Sequence, residues 1–188
     1  MSWTARNGIL TDAEMKGNAQ MVADFFLGVS WTRNSIAAIL GNMQAESGVN
    51  PGAWEGYVPY NGGYGLTQWT PYTKLSTWAT DRGWTWLNDG DTQCLRIDYE
   101  ANNGLQWFAN AELGITPPIT FGEFTQSHLP IATLSNYFLW FYEHPADPGP
   151  GTQAARQANA LFWDSFLDWH GAVTLPPWLL FKFKRRLG

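Results

Sequence analysis

The sequence of 188 residues contains a single cysteine, few charged residues and no long apolar run. Because Cys94 has no second cysteine to pair with, no intramolecular disulfide can form and the chain can fold in a reducing compartment. The N-terminal residues lack the apolar segment of a signal peptide, and no stretch of about 18 apolar residues is available to span a bilayer. We therefore expect synthesis in a cytoplasm, with delivery elsewhere depending on other proteins.

Charged residues make up only 14% of the chain, whereas aromatic residues make up 16% and hydrophobic residues 45%. Such a composition supports a buried core and excludes intrinsic disorder. Four of the 11 Lys and Arg residues lie in the last seven positions, which leaves seven basic against 16 acidic side chains in residues 1–181. Since nucleic-acid binding needs a basic face, this acidic body argues against nucleic acid as a partner.

Apolar periodicity and helix-capping signals predict six or seven helices. Thr11 followed by Glu14 has the pattern of a capping box and opens a helix over 12–27. Thr32 opens a second helix, which ends at Gly48 and carries an apolar stripe. The later predicted helices begin at Thr70-Pro71, cover 92–110 and 121–127, run from Pro130 to Tyr142 or Glu143, and cover 152–170.

Glycine and aromatic residues alternate between the second and third helices. Asn61-Gly62-Gly63 lies between residues 58–60 and 64–68, a pattern typical of a small β-hairpin. The predicted fold is therefore mainly α, with six or seven helices and one small β-hairpin. We expect one domain over 1–172 and a tail over 173–188 that begins near Pro176-Pro177.

The tail combines apolar and basic residues, as segments that lie at a membrane surface do. It is too short to span a bilayer. One interpretation is a contact with an anionic cell wall or membrane surface. The other is a solvated terminus whose aromatic residues pack on the domain.

Glu46 lies in the last turn of the second helix, on the edge of its apolar stripe. Partial burial and the negative end of the helix dipole both favour a carboxyl group that keeps its proton. A protonated carboxylic acid can act as a general acid toward a leaving group. Taken alone, the same position also fits a surface glutamate beside a helix C-cap.

The residues after this helix are suited to bind a polysaccharide. Glycines allow the backbone to approach a sugar chain closely, and the rings of Trp54, Tyr64 and Trp69 can stack on sugar faces. Gln68 can both donate hydrogen bonds to hydroxyl or N-acetyl groups and accept them. A carboxylic acid followed by such a segment is typical of lysozyme-like active sites.

Four sequence blocks in order resemble the phage tail lysozyme family, found in tail-tip proteins of small tailed phages that infect Gram-positive bacteria. They are Gly41-Asn-Met-Gln-Ala-Glu-Ser47, Asn50-Pro-Gly-Ala-Trp54, Tyr64-Gly-Leu-Thr-Gln-Trp-Thr-Pro71 and Phe141-Tyr-Glu-His-Pro-Ala-Asp-Pro148. The resemblance extends from about Leu10 to Trp169. It implies a mainly α fold of the α+β lysozyme-like kind, with the helices around a central catalytic helix. It also implies a muramidase that cleaves the β-1,4 bond between N-acetylmuramic acid and N-acetylglucosamine of peptidoglycan.

The resemblance also implies that Glu46 is the catalytic acid. From their chemistry and position, Trp54, Tyr64, Gln68, Trp69 and Glu143 are the expected substrate-binding residues, and Glu143 fits equally a structural role at a helix end. The family often has Glu-Arg-Pro in the last block, where this chain has Glu143-His144-Pro145, so a contact through that arginine is not expected here. A second carboxylate, if one acts, is Glu55, Glu143 or Asp147.

No cofactor or metal is expected, because His128, His144 and His170 are scattered and no zinc motif is present. The expected partners are peptidoglycan glycan strands and other phage tail proteins, in a virion tail or at the host cell wall. Two other functions fit the same residues. One is a lytic transglycosylase, which forms 1,6-anhydro-muramoyl ends, and the other is a non-catalytic wall-binding tail module.

Overall fold

The computed structural model describes residues 2–169, so the predicted tail lies outside the described residues. Within this range the chain is mainly helical, as predicted. The α-helices are α1 (Asp12–Gly28), α2 (Arg33–Ser47), α3 (Thr73–Thr80), α4 (Gly90–Asn103), α5 (Phe121–Thr125), α6 (Ile131–Phe138) and α7 (Pro150–Phe166). A 3-10 turn covers Glu55–Tyr57, and a π-helical turn over Leu139–Glu143 continues α6. None of the helices in this range is long and apolar enough to cross a membrane.

The predicted caps of the first two helices are confirmed. Thr11 accepts a hydrogen bond from the Glu14 backbone N–H, and the Glu14 carboxylate accepts one from the Thr11 N–H. Thr32 caps α2 in the same way through the backbone N–H of Ser35, and the helix ends at Gly48. These signals are local in sequence, which is why the sequence predicts these helix ends closely.

Three predicted helix boundaries are wrong. The last helix ends at Phe166 and does not continue to residue 170, because Leu167 takes an extended conformation. Thr70 does not cap the third helix, because its hydroxyl donates to the Gln68 carbonyl, and α3 begins only at Thr73. The fourth helix stops at Asn103 and does not continue to residue 110, because Gly104 takes a left-handed conformation with φ of 62°. As a consequence, Leu105 and Phe108 are exposed and do not belong to a helical core stripe.

The predicted β-hairpin is replaced by isolated antiparallel bridges. Tyr64 pairs with Trp54 on one side and with Trp69 on the other, whereas residues 58–60 form no strand. Tyr57 and Tyr60 both have positive φ, which interrupts the extended backbone that a strand needs. The segment is therefore a loop that is held at Tyr64 by its bridges to Trp54 and Trp69.

Helix α2 is buried along most of its length and packs against α1, α5, α6 and α7. Its closest neighbour is α7, because Gly41 has no side chain to hold the helices apart. A Cβ atom at Gly41 would lie 2.5 Å from the Arg156 carbonyl oxygen and 2.7 Å from the Ala160 Cβ. This close approach brings residues of α7 to the end of α2, where Glu46 lies.

Candidate active site

A cleft of about 780 Å³ opens at the C-terminal end of α2. Glu46 lies on one side of it, Trp54 and Gln68 belong to the loop after α2, and Glu143 comes from the π-helical turn. These residues are separated by up to about a hundred positions in the sequence, and the fold brings them to one surface. Among the described residues, three carboxyl groups line the cleft, those of Glu46, Glu55 and Glu143.

The loop after α2, which carries Trp54 and Gln68, forms the wall of the cleft opposite Glu46. Polar side chains from several parts of the chain fix this loop. The Ser47 hydroxyl donates to the Leu66 carbonyl at 3.0 Å, next to Glu46. The Gln93 side chain accepts from the Leu66 N–H at 2.8 Å and donates to the Pro51 carbonyl at 2.7 Å. Asn50 bonds to the backbone of Arg6 and Gly52. The loop is thus held by hydrogen bonds to α2, α4 and the N-terminal segment, which satisfy backbone groups that the loop leaves unpaired.

Glu46 forms an ion pair with Arg156 of α7. The Arg156 Nη2 atom donates to Glu46 Oε1 at 2.5 Å, and Nη1 donates to the Asn42 carbonyl at 3.1 Å. The Arg156 side chain is 8% exposed, whereas that of Glu46 is 22% exposed and faces the cleft. The sequence predicts a Glu46 that burial and the helix dipole keep neutral, but the structure provides a cationic partner that the sequence did not reveal.

Glu143 is the more enclosed carboxyl group of the site. Its Oε1 atom is shut off from solvent and has no hydrogen-bond partner among the described residues. Burial raises the pKa of Glu143 well above its ordinary value, and the charges of Glu46 and Glu100 raise it further, against the opposing effect of Arg156. Glu143 therefore retains its proton under conditions in which an exposed glutamate is ionised.

The cleft continues into a second cavity of about 300 Å³. Gln68, Thr70, Glu143 and His144 line both spaces, so together they form one elongated groove. Gln68 and His144 both have φ of 50°, a left-handed conformation that non-glycine residues rarely adopt. Backbone strain of this kind is concentrated at functional sites.

The fold brings only some of the predicted site residues together. Glu46, Trp54, Gln68 and Glu143 line the main cleft. Tyr64 does not, because it is buried behind the loop and lines a separate pocket with Trp54, where desolvation by burial raises its pKa to about 12. Trp69 is buried as well, and it lines the second cavity and not the main cleft.

The candidates for a second carboxylate also separate. Glu143 adjoins Glu46 in the cleft, whereas Glu55 lines it from the loop and accepts a hydrogen bond from the Gly63 N–H at 2.8 Å. Asp147 is exposed outside the cleft and accepts a hydrogen bond from the Gly149 N–H at 2.9 Å.

The Gln68 side-chain amide donates to the carbonyls of Ala53 and Gly65, which leaves its oxygen atom to meet a ligand.

Two charged residues of the site were missed in the sequence. Arg156 lies 110 residues from Glu46, and no local pattern connects them. Glu100, four residues after Arg96, has the spacing of a surface ion pair on a helix, yet it is fully buried. Within residues 2–169 no group of three His, Cys, Asp or Glu side chains is arranged to hold a metal ion.

Residues 17–167 match the family described as phage tail lysozyme. The chain is also similar to morphogenesis protein 1 of Bacillus phage B103, with 38% identity over 171 residues. That alignment covers 90% of this chain but 44% of the phage B103 protein, so the chain spans less than half the length of this relative. The family match contains every residue of the cleft from α2 onward, including Glu46 and Glu143. The chain therefore belongs to the phage tail lysozyme family.

Proposed function

We propose that this chain is a muramidase that cleaves the β-1,4 bond between N-acetylmuramic acid and N-acetylglucosamine in peptidoglycan, with Glu46 as the general acid. The observation that carries the proposal is the position of Glu46, which faces an elongated cleft, with Glu143 beside it, in a chain of the lysozyme family. An open groove suits a polymer, because the sugar units on both sides of the cleaved bond need room.

Two carboxyl groups in one site supply the proton that the reaction needs. Burial and the charge of Glu46 raise the pKa of Glu143, so Glu143 holds a proton in the site. We propose that Glu46 takes up this proton when the substrate binds and delivers it, because the Glu46 side chain faces the cleft. The proton goes to the glycosidic oxygen while the bond to the anomeric carbon breaks through an oxocarbenium-like state. A water molecule then attacks the anomeric carbon and returns a proton to the carboxylate.

Arg156 supports this step from outside the cleft. When Glu46 gives up its proton, the carboxylate that forms is held by the guanidinium at 2.5 Å. A charge-assisted hydrogen bond of this kind stabilises the ionised product of the proton transfer. The Trp54 ring and the Gln68 amide oxygen are the groups of the opposite wall that we assign to binding the sugar.

Product analysis tests the proposal against its two alternatives. Purified peptidoglycan is digested and the soluble fragments are identified by mass spectrometry. A hydrolase gives reducing N-acetylmuramic acid ends, whereas a lytic transglycosylase gives 1,6-anhydro-muramoyl ends that are lighter by one water. Anhydro ends would contradict the hydrolase proposal, and binding to walls with no soluble fragments would indicate a wall-binding module.

We further propose that the enzyme acts as part of a phage tail to breach the host wall. The family description, phage tail lysozyme, and the name of the phage B103 relative, a morphogenesis protein, support an association with other phage tail proteins. Immunogold labelling of virions with antibodies against this chain tests this role. Labelled tail tips are expected, and virions free of the protein would contradict it.

A further inference from the structure

Glu100 of α4 forms hydrogen bonds with two segments that line the cleft, the loop after α2 and the π-helical turn. Its Oε1 atom accepts a hydrogen bond from the Trp69 indole N–H at 3.2 Å and from Arg96 Nε at 2.7 Å. Its Oε2 atom accepts one from the Tyr142 hydroxyl at 2.6 Å. Trp69 directly follows Gln68, and Tyr142 directly precedes Glu143. One carboxylate therefore connects the neighbours of two cleft residues that belong to different segments of the chain.

Stability alone is a poor explanation for this carboxylate. Glu100 is fully buried, and desolvation raises its pKa despite the Arg96 charge and the hydrogen bonds it accepts. Apolar residues of similar volume often replace a buried ion pair without loss of stability, because desolvating two charges is costly. What an apolar residue cannot do is accept hydrogen bonds from Trp69 and Tyr142 at the same time.

We propose that Glu100 is a positioning residue. It fixes the distance between the loop that carries Gln68 and the π-helical turn that carries Glu143 at the value the reaction needs. This inference rests on the proposed function of the Glu46 cleft. Glu100 does not line the cleft or the second cavity, and its hydrogen bonds reach them through Trp69 and Tyr142. Its charge also reaches Glu143, together with the charges of Glu46 from α2 and Arg156 from α7.

Three substitutions separate positioning from packing. Glu100→Gln keeps the shape but leaves too few acceptor sites for the donors. Tyr142→Phe removes the bond to one wall, and Trp69→Phe removes the bond to the other. The matched control is Trp78→Phe, because Trp78 is a buried tryptophan of the same core that contacts the Arg96 guanidinium but does not bind Glu100.

The first measurement is kcat on peptidoglycan, made on variants that circular dichroism shows to be folded. We expect kcat to fall about 10- to 100-fold in Glu100→Gln, as a shift of about 1 Å in a catalytic group does. Tyr142→Phe and Trp69→Phe are expected to combine non-additively, because either change breaks the same bridge. Trp78→Phe should lower the melting temperature and leave kcat unchanged.

The second measurement needs no activity. The titration of the Glu143 carboxyl group is followed by carbon-13 NMR in the full chain. Glu100→Gln and Tyr142→Phe are expected to shift its midpoint, whereas Trp78→Phe is not. If Glu100→Gln keeps wild-type kcat and leaves the titration of Glu143 in place, the positioning role is overturned. If the wild-type chain cleaves no peptidoglycan, the proposed function fails, and the titration in Tyr142→Phe, which keeps the Glu100 charge, still decides whether the Glu100 bridge positions Glu143.

Discussion

The contact between α2 and α7 at Gly41 makes a quantitative prediction about how Glu46 is held. In Gly41→Ala the new methyl group would lie 2.5 Å from the Arg156 carbonyl oxygen, whereas ordinary contacts begin near 3.4 Å, so α7 must move by about 0.9 Å. Overpacking of this kind costs about 1–3 kcal/mol. The intrinsic preference of alanine for a helix offsets about 0.5–1 kcal/mol of that cost. We expect a net loss of about 0–2.5 kcal/mol in the free energy of unfolding, centred on about 1 kcal/mol.

The same movement displaces Arg156 from Glu46, so activity should fall along with stability. A displacement of about 1 Å in a catalytic arrangement can cost about 100-fold in rate. Urea unfolding followed by tryptophan fluorescence measures the stability, and lysis of purified walls measures the activity.

Gly17→Ala is the matched control, because a Cβ at Gly17 in α1 has no atom within 4 Å. It should gain about 0.5–1 kcal/mol in stability and keep full activity. If Gly41→Ala were as stable as Gly17→Ala, the close packing of α2 on α7 would be refuted.

Three further predictions concern the charged groups and the tail. Arg156→Met removes the donor to Glu46 and to the Asn42 carbonyl, and should cost about 1–3 kcal/mol in urea unfolding; an unchanged midpoint would oppose the ion pair. Because the pKa of Glu143 is raised in the folded state, the wild-type chain loses stability as pH rises from the ordinary glutamate pKa toward the folded one. Glu143→Gln should therefore gain in stability relative to wild type as pH rises, and a constant difference across pH would contradict this. Deletion of residues 178–186 should weaken binding to anionic liposomes and leave cleavage of soluble glycan intact, whereas unchanged binding would favour the solvated terminus.

The helices that the sequence predicts well are those whose signals are local. Thr11, Glu14 and Thr32 are within three residues of the backbone groups they cap, so their roles can be read from the sequence. The boundary at Gly104 was missed because the aromatic pattern continues beyond it. The hairpin prediction rested on the turn signal at residues 61–63. No strand forms before that turn, because Tyr57 and Tyr60 take left-handed conformations.

The candidate site also contains residues that the sequence predicts and residues that it does not. Its wall residues, among them Glu46, Gln68 and Glu143, belong to recognisable sequence blocks, and the fold brings these three to one cleft. The sequence does not reveal the partners Arg156 and Glu100, because these act through contacts with residues that are distant in the sequence. Tyr64 was expected in the cleft because aromatic residues near a glycan site suggest stacking, but burial on the other side of the loop separates it from Glu46.

The central claim is that the Glu46 carboxyl group transfers a proton to the glycosidic oxygen. Glu46→Gln keeps the shape of the side chain and removes the transferable proton, and Glu112→Gln makes the same change at an exposed position outside the cleft. General acid catalysis contributes about 10²–10⁴-fold in rate. We expect kcat/KM for purified peptidoglycan to fall by about that factor in Glu46→Gln and to stay unchanged in Glu112→Gln. Wall lysis by Glu46→Gln at the wild-type rate would contradict the mechanism.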